Sequence, residues 1–195
     1  MLHDQQSTQF SGPKSQVLVA EEHTIISRGL IQLINAEANL RVSQQVRDGR
    51  SALAMIEEQC FDIAVVDLPL PMDSCRGDDI VGMQFIADIK KIQPDLPVLA
   101  LSMHDELIFV ENALKAGASG YVVKYEAAEK IIPAINLLLE GKVYINDEMM
   151  QQLFRKITQS RSCKAEIKRF VKGFKSGLSG GTKAFRREKE LLYRK

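Results

Sequence analysis

The chain has 195 residues, 45% of them hydrophobic and 26% charged, which suits one full domain with something small beside it. Its formal net charge of +1 conceals a split: residues 1–154 carry 12 Lys and Arg against 22 Asp and Glu, a balance of −10, whereas residues 155–195 carry 14 against 3, a balance of +11. Cys60, Cys75 and Cys163 are odd in number and lack C-x-x-C spacing, so they read as neither a disulfide framework nor a zinc site, and they fit a reducing, cytoplasmic setting.

The opening MLHDQQSTQFSGPKSQ is polar, has no signal-peptide core, and reads as disordered over residues 1–15. No apolar run approaches the roughly 18 residues of a transmembrane segment. QVLVA then reads as a short buried strand. It ends abruptly in two adjacent carboxylates, Glu21 and Glu22. Like charges side by side repel unless solvent, a cation or a proton relieves them. TIISRGLIQLINA follows with a helical stripe of Ile25, Ile26, Leu30, Ile31, Leu33 and Ile34.

LRVSQQV reads as a half-polar second strand and GRSALAMIEEQ as a helix. Cys60, just beyond, is expected to be a buried small hydrophobe. FDIAVVDLPLP contains a third strand ending near Asp67, and DIVGMQFIADIKKI reads as a helix. LPVLALS is a fourth strand ending at Ser102, followed by a helix over DELIFVENALKAG that Gly117 stops. GYVVK is a fifth strand ending at Lys124, and AAEKIIPAINLLLEG is a helix stopped by Gly141. Pro133 is expected near the first turn of that helix, where proline is tolerated. Met149, Met150 and Leu153 suggest a further helical contact back onto the domain.

Five apolar strands alternating with five helices imply an α/β fold with a doubly wound, five-stranded parallel sheet covered on both faces. In such folds the ligand site lies outside the carboxyl ends of the strands. Glu21, Glu22, Asp67, Ser102 and Lys124 all stand at those ends. Taken singly, each has an ordinary reading: an exposed turn pair, a helix cap, surface polar groups. Taken together, crowded carboxylates suit a hard cation such as Mg2+, which leaves positions for a phosphoryl group. One carboxylate could then attack that group, with the lysine and the hydroxyl holding its oxygens. His23 and His104 also follow strand ends, but without a second ligand at metal spacing they carry no metal role at this level.

With these residues in hand, the stretch 16–147 resembles the receiver domain of two-component response regulators, in the subgroup usually joined to a NarL/LuxR-type DNA-binding domain. The matching pieces are VLVAEEH, VVDLPLP with Pro71 four residues after Asp67, LALSMHDE, and GYVVK with Tyr121 three residues before Lys124. The resemblance implies a flavodoxin-like (CheY-like) fold in which Asp67 is the phosphoacceptor. Glu21, Glu22 and Asp67 would hold Mg2+, and Ser102 and Lys124 would contact the phosphoryl group. Tyr121 would be a switch residue that turns inward. A sensor histidine kinase or a phosphotransfer protein would supply the phosphoryl group. The face changed by phosphorylation, and a route to a homodimer, would be the fourth helix, fifth strand and fifth helix. The output would be transcription regulation in the cytoplasm, with no external enzymatic turnover. The chain departs from the pattern at Glu22, where receivers usually have aspartate. The loop MDSCRGDDIVG is also longer than usual and brings in Asp73, Asp78 and Asp79.

After the receiver, residues 148–162 read as a linker helix and 163–195 as a basic, helical tail. Ile167, Phe170, Val171, Phe174 and Leu178 form one apolar stripe, and Lys164, Lys168, Arg169, Lys172 and Lys175 the opposite face. Such a helix suits a membrane surface, nucleic-acid phosphates or an acidic partner. No complete helix-turn-helix motif follows, so DNA binding has no motif to support it, and the tail also reads as a truncated or degenerate effector remnant. Two other readings stay open: a stand-alone receiver that works by protein contact, and a non-phosphorylated receiver fold used for dimerisation.

Overall fold

A computed structural model of the chain describes residues 12–72 and 82–159. The expectations for the first eleven residues, for Asp73, Asp78, Asp79 and Cys75, and for the basic tail with Lys164, Lys168, Arg169, Lys172 and Lys175 lie outside the described residues.

The elements run β1 (Ser15–Ala20), α1 (Thr24–Ala36), β2 (Leu40–Val46), α2 (Gly49–Glu58), β3 (Ile63–Asp67), α3 (Gly82–Ile92), β4 (Val98–Ser102), α4 (Leu107–Ala116), β5 (Gly120–Val123), a 3-10 turn (Lys124–Glu126), α5 (Ala127–Leu139) and α6 (Asp147–Gln159). The sheet has the order β2-β1-β3-β4-β5 and every pair of neighbours is parallel. Strand order reverses between β1 and β3, which opens a crevice at their carboxyl ends.

The alternation of side chains along the strands builds two cores, one on each face. Leu18, Ala20, Ala64, Val66, Val98 and Ala100 pack toward α2, α3 and α4. Val17, Val19, Ile63, Val65, Leu99 and Leu101 pack toward α1 and α5. All twelve are fully buried, which explains why the central strands read as continuous apolar runs rather than as alternating ones. β2 lies at the edge and keeps Arg41 and Gln45 exposed.

Local chemistry sets the helix ends. Asp48 caps α2 by accepting from the Ser51 N–H at 2.8 Å. Gly117 ends α4 with φ 109°, a left-handed conformation that favours glycine. Met149 and Leu153 of α6 join the core against α4, with Met150 packed beside them, as the sequence suggested. Lys156 of α6 also reaches Glu111 Oε1 of α4 at 2.5 Å. Among the described residues no helix is long and apolar enough to cross a membrane.

Two expectations need correction. Pro133 sits in the interior of α5 rather than its first turn, at the seventh helical residue. Having no N–H, it forfeits one i→i−4 bond, and the burial of Ile131, Ala134, Ile135 and Leu138 holds the helix across that gap. Cys60 is exposed, not buried. The chain leaves α2 at Gln59, and Phe61 (7% exposed) takes the place in the core that Cys60 was expected to fill.

α3 begins hard against the strand that carries Asp67. A Cβ on Gly82 would stand 1.9 Å from the Leu68 carbonyl oxygen, so this position admits no side chain without moving backbone next to Asp67. Gly82→Ala is expected to cost about 2 kcal/mol by overpacking. Urea unfolding of the variant checks this, and an unchanged midpoint would contradict the close approach.

Candidate functional site

The turn after β1 places Glu21 completely inside. Its Oε1 accepts from the His23 backbone N–H at 2.9 Å, and the His23 ring Nδ1 stands 3.0 Å from the same oxygen. β3 delivers Asp67, 1% exposed, at its last position. Lys124 follows β5 directly, and its side chain is 3% exposed. Its Nζ lies 2.8 Å from Glu21 Oε2 and 2.7 Å from Asp67 Oδ2. At these distances the ammonium pairs with both carboxylates. Asp67 Oδ1 is left buried with no hydrogen-bond partner among the described residues.

One buried ammonium thus faces two buried carboxylates. Burial pushes the Asp67 carboxyl up to about 6, the Lys124 contact pulls it back, and the nearby Glu21 carboxylate pushes it up again. A divalent cation would relieve this excess of negative charge. The donor set fits one, since Asp67 Oδ1 is buried and unpartnered, Glu21 Oε1 faces only His23, and two carboxylates suit a hard ion. One ligand atom each from Glu21, His23 and Asp67 lies within 4.8 Å of the other two.

Glu22 is not brought into this group. It is exposed, and its backbone carbonyl accepts from Arg47 Nε at 3.3 Å and Nη2 at 3.2 Å. Ser102 is 1% exposed at the end of β4, but its hydroxyl accepts from the His104 N–H at 3.1 Å and makes no hydrogen bond to Asp67. Tyr121 is 1% exposed, and its hydroxyl donates to the His104 carbonyl at 2.7 Å. Burial pushes that phenol up to about 12, so it stays a donor at any physiological pH. The His104 ring stacks on Phe109 with centroids 4.2 Å apart. Tyr125 donates to Asp105 Oδ2 at 2.9 Å. The loop between β4 and α4 is thereby tied to β5 and to the turn after it.

The sequence reading passed over two contributors. His23 was read as having no second ligand at metal spacing; the turn brings its ring Nδ1 to 3.0 Å from Glu21 Oε1, two residues earlier. The N-terminus of α2 also supports the site: the Gly49 N–H donates to the Pro71 carbonyl at 2.8 Å and the Arg50 N–H to the Met72 carbonyl at 2.9 Å. These bonds anchor the start of the long loop beyond Asp67. The Asp48 cap before an apolar run was the available signal.

Comparison with known proteins agrees with this architecture. The family described as the response regulator receiver domain matches residues 17–136. The transcriptional regulatory protein DegU of Brevibacillus brevis is 27% identical over 75% of this chain and 59% of its own length. The transcriptional regulatory protein UhpA of Salmonella typhimurium is 28% identical over 70% of this chain and 65% of its own. The chain therefore spans about three-fifths of the length of the curated relatives it matches. Among solved structures, a LuxR-family two-component response regulator from Aurantimonas superposes with a TM-score of 0.66 at 25% identity, covering 75% of this chain and 99% of that one. The receiver domain of the putative response regulator NarL from Mycobacterium tuberculosis superposes with a TM-score of 0.60 at 27% identity, covering 67% and 100%. The crevice at the β1/β3 switch point, the buried Glu21–Asp67–Lys124 group at its floor and the match over residues 17–136 together place this chain in the response regulator receiver domain family.

Proposed function

We propose that Asp67 accepts a phosphoryl group and that the resulting acyl phosphate switches the loop between β4 and α4. The observation that carries this reading is the buried carboxylate of Asp67, paired through Oδ2 with the Lys124 ammonium while Oδ1 has no hydrogen-bond partner among the described residues. An ionised Asp67 oxygen attacks phosphorus in line, a phosphorus–oxygen bond forms, and the bond to the leaving group breaks. With its carboxyl near 6, Asp67 is mainly ionised at neutral pH yet more basic than an ordinary aspartate. Lys124 already touches Asp67 and would stay with the phosphoryl oxygens. Mg2+, when bound, supplies positive charge for the carboxylates and the transferring group; Glu21 and Asp67 would hold it.

Ser102 is the link to the switch. Its hydroxyl holds the His104 N–H now, and turning it toward a phosphoryl oxygen would free that bond. Tyr121 grips the His104 carbonyl, so both sides of the peptide pair around His104 respond to the same event. The phosphoryl group adds charge and acceptors at one point and so shifts a two-state loop. The donor would be a sensor histidine kinase or phosphotransfer protein, or a small acyl phosphate, and the setting cytoplasmic. The receiver unit would run through α6, because Met149 and Leu153 belong to the same core as α4. Relatives such as DegU and UhpA carry the name transcriptional regulatory protein, which favours transcription as the output. A homodimer through α4, β5 and α5 would have to form around, or displace, the docked α6.

The test is intact mass after incubation with acetyl phosphate and Mg2+. Wild type should gain one phosphoryl group, and Asp67→Ala should gain none. A wild type that gains nothing with any donor or divalent ion would leave the chain as a receiver fold used for contact alone.

A further inference from the structure

Lys124 leaves two carboxylate oxygens over. Its Nζ faces Glu21 Oε2 and Asp67 Oδ2. Asp67 Oδ1 remains buried with no hydrogen-bond partner among the described residues. Glu21 Oε1 does not face Lys124 either: it accepts from the His23 backbone N–H at 2.9 Å, and the His23 ring Nδ1 is 3.0 Å away. One ligand atom each from Asp67, His23 and Glu21 thus lies within 4.8 Å of the other two.

These separations suit six-coordination. Ligands about 2.1 Å from an ion stand roughly 3.0 Å apart when adjacent and roughly 4.2 Å apart when opposite. The pair formed by Glu21 Oε1 and His23 Nδ1 already has the adjacent spacing. The widest separation among the three ligand atoms is at most 4.8 Å, a little over the opposite spacing and within reach of side-chain motion. Glu22 is exposed, with its backbone carbonyl tied to Arg47.

We infer that His23 is a nitrogen ligand of the cation site, and that the site consequently prefers borderline divalent ions such as Mn2+ and Co2+ over Mg2+. The inference rests on the reading of the Asp67 cleft as a phosphoacceptor site and adds its metal preference. Imidazole nitrogen suits first-row transition ions, whereas Mg2+ takes oxygen ligands and parts reluctantly with water. Ligation through Nδ1 places the ring proton on Nε2. The side chain is 61% exposed, so Nε2–H has water available and His23→Ala leaves the core intact. The competing account of the 3.0 Å contact is a plain hydrogen bond from Nδ1–H to Glu21, which predicts no nitrogen on the metal.

The test compares the full chain, His23→Ala and Glu22→Gln. Calorimetric titration with Co2+ and with Mg2+ gives the preference for each protein. Every oxygen-rich site favours Co2+ to some degree, so the change in preference between variants is what counts. His23→Ala should lower the Co2+ affinity on the order of tenfold and leave Mg2+ within about threefold, and Glu22→Gln should leave both within about threefold. Pulsed electron paramagnetic resonance of the Mn2+ complex, with 15N-labelled histidine, should show a nitrogen coupling that His23→Ala removes. An absent coupling, or a Co2+ affinity that falls with Glu22→Gln and not with His23→Ala, overturns the inference. A phosphoryl adduct that still forms on Asp67 in that case leaves the phosphoacceptor reading standing. A wild type that binds no divalent ion and takes no adduct overturns both.

Discussion

Lys124→Met should lose about 3–5 kcal/mol of stability at neutral pH in metal-free buffer, the largest single loss expected at this site. The substitution keeps the buried stem but removes the ammonium between two carboxylates that are 0% and 1% exposed. Glu21 then keeps only the His23 contact, and Asp67 keeps no cation among the described residues. Two uncompensated buried charges cost more than one lost surface pair, for which well under 1 kcal/mol would be usual. The deficit should shrink as pH falls, because the stranded carboxylates then take up protons. Excess Mg2+ should recover part of it by binding the folded form alone. Urea unfolding at several pH values checks all three points. A loss below about 1 kcal/mol would mean that water reaches the carboxylates and that the site is not dry.

Asp67→Asn should have the opposite sign. The carboxyl titrates near 6 in the folded protein, above its ordinary 3.8. Between those values the folded state holds a proton that the unfolded chain has already released. Stability therefore falls as pH rises through this window, and the full penalty applies above about 6. It is on the order of 3 kcal/mol. Asparagine has the same shape and no charge to bury, so Asp67→Asn should gain about 2–3 kcal/mol at neutral pH, with the gain fading toward pH 4. The measurement is the urea midpoint of both proteins, in chelator, from pH 4 to 8. A gain independent of pH would place its origin elsewhere than in the Asp67 charge. The two substitutions address one balance from opposite sides: an ammonium too few, and a carboxylate too many, for a site that a cation completes.

The parts of this site that were legible in the sequence are those fixed by the sheet. Val17–Ala20, Ile63–Val66 and Val98–Leu101 are apolar on both faces, and an element buried on both faces is read easily from composition. Once the strands are placed, the carboxyl-end rule gathers Glu21, Asp67, Ser102 and Lys124 without further information. What escaped depends on turns and on contacts between helices. His23 meets Glu21 because the chain bends within two residues, and no periodicity reports such a bend. The tie from Tyr121 to the His104 carbonyl needs the path of the loop between β4 and α4, which hydropathy does not record. Pro133 was expected at a tolerated position because propensity alone argues for one, yet tertiary burial holds α5 together around it. Cys60 was expected inside on its residue type, but its place two residues past the end of α2 decides its exposure.

The most direct test of the central claim is to find where the phosphoryl group goes. Wild-type protein incubated with acetyl phosphate and Mg2+, then reduced with borohydride and digested, converts an acyl phosphate of aspartate to homoserine. The account predicts homoserine at position 67, in the peptide that contains β3, with every other carboxylate unchanged. Homoserine at another aspartate, or a phosphoryl group retained elsewhere with Asp67 intact, would contradict it.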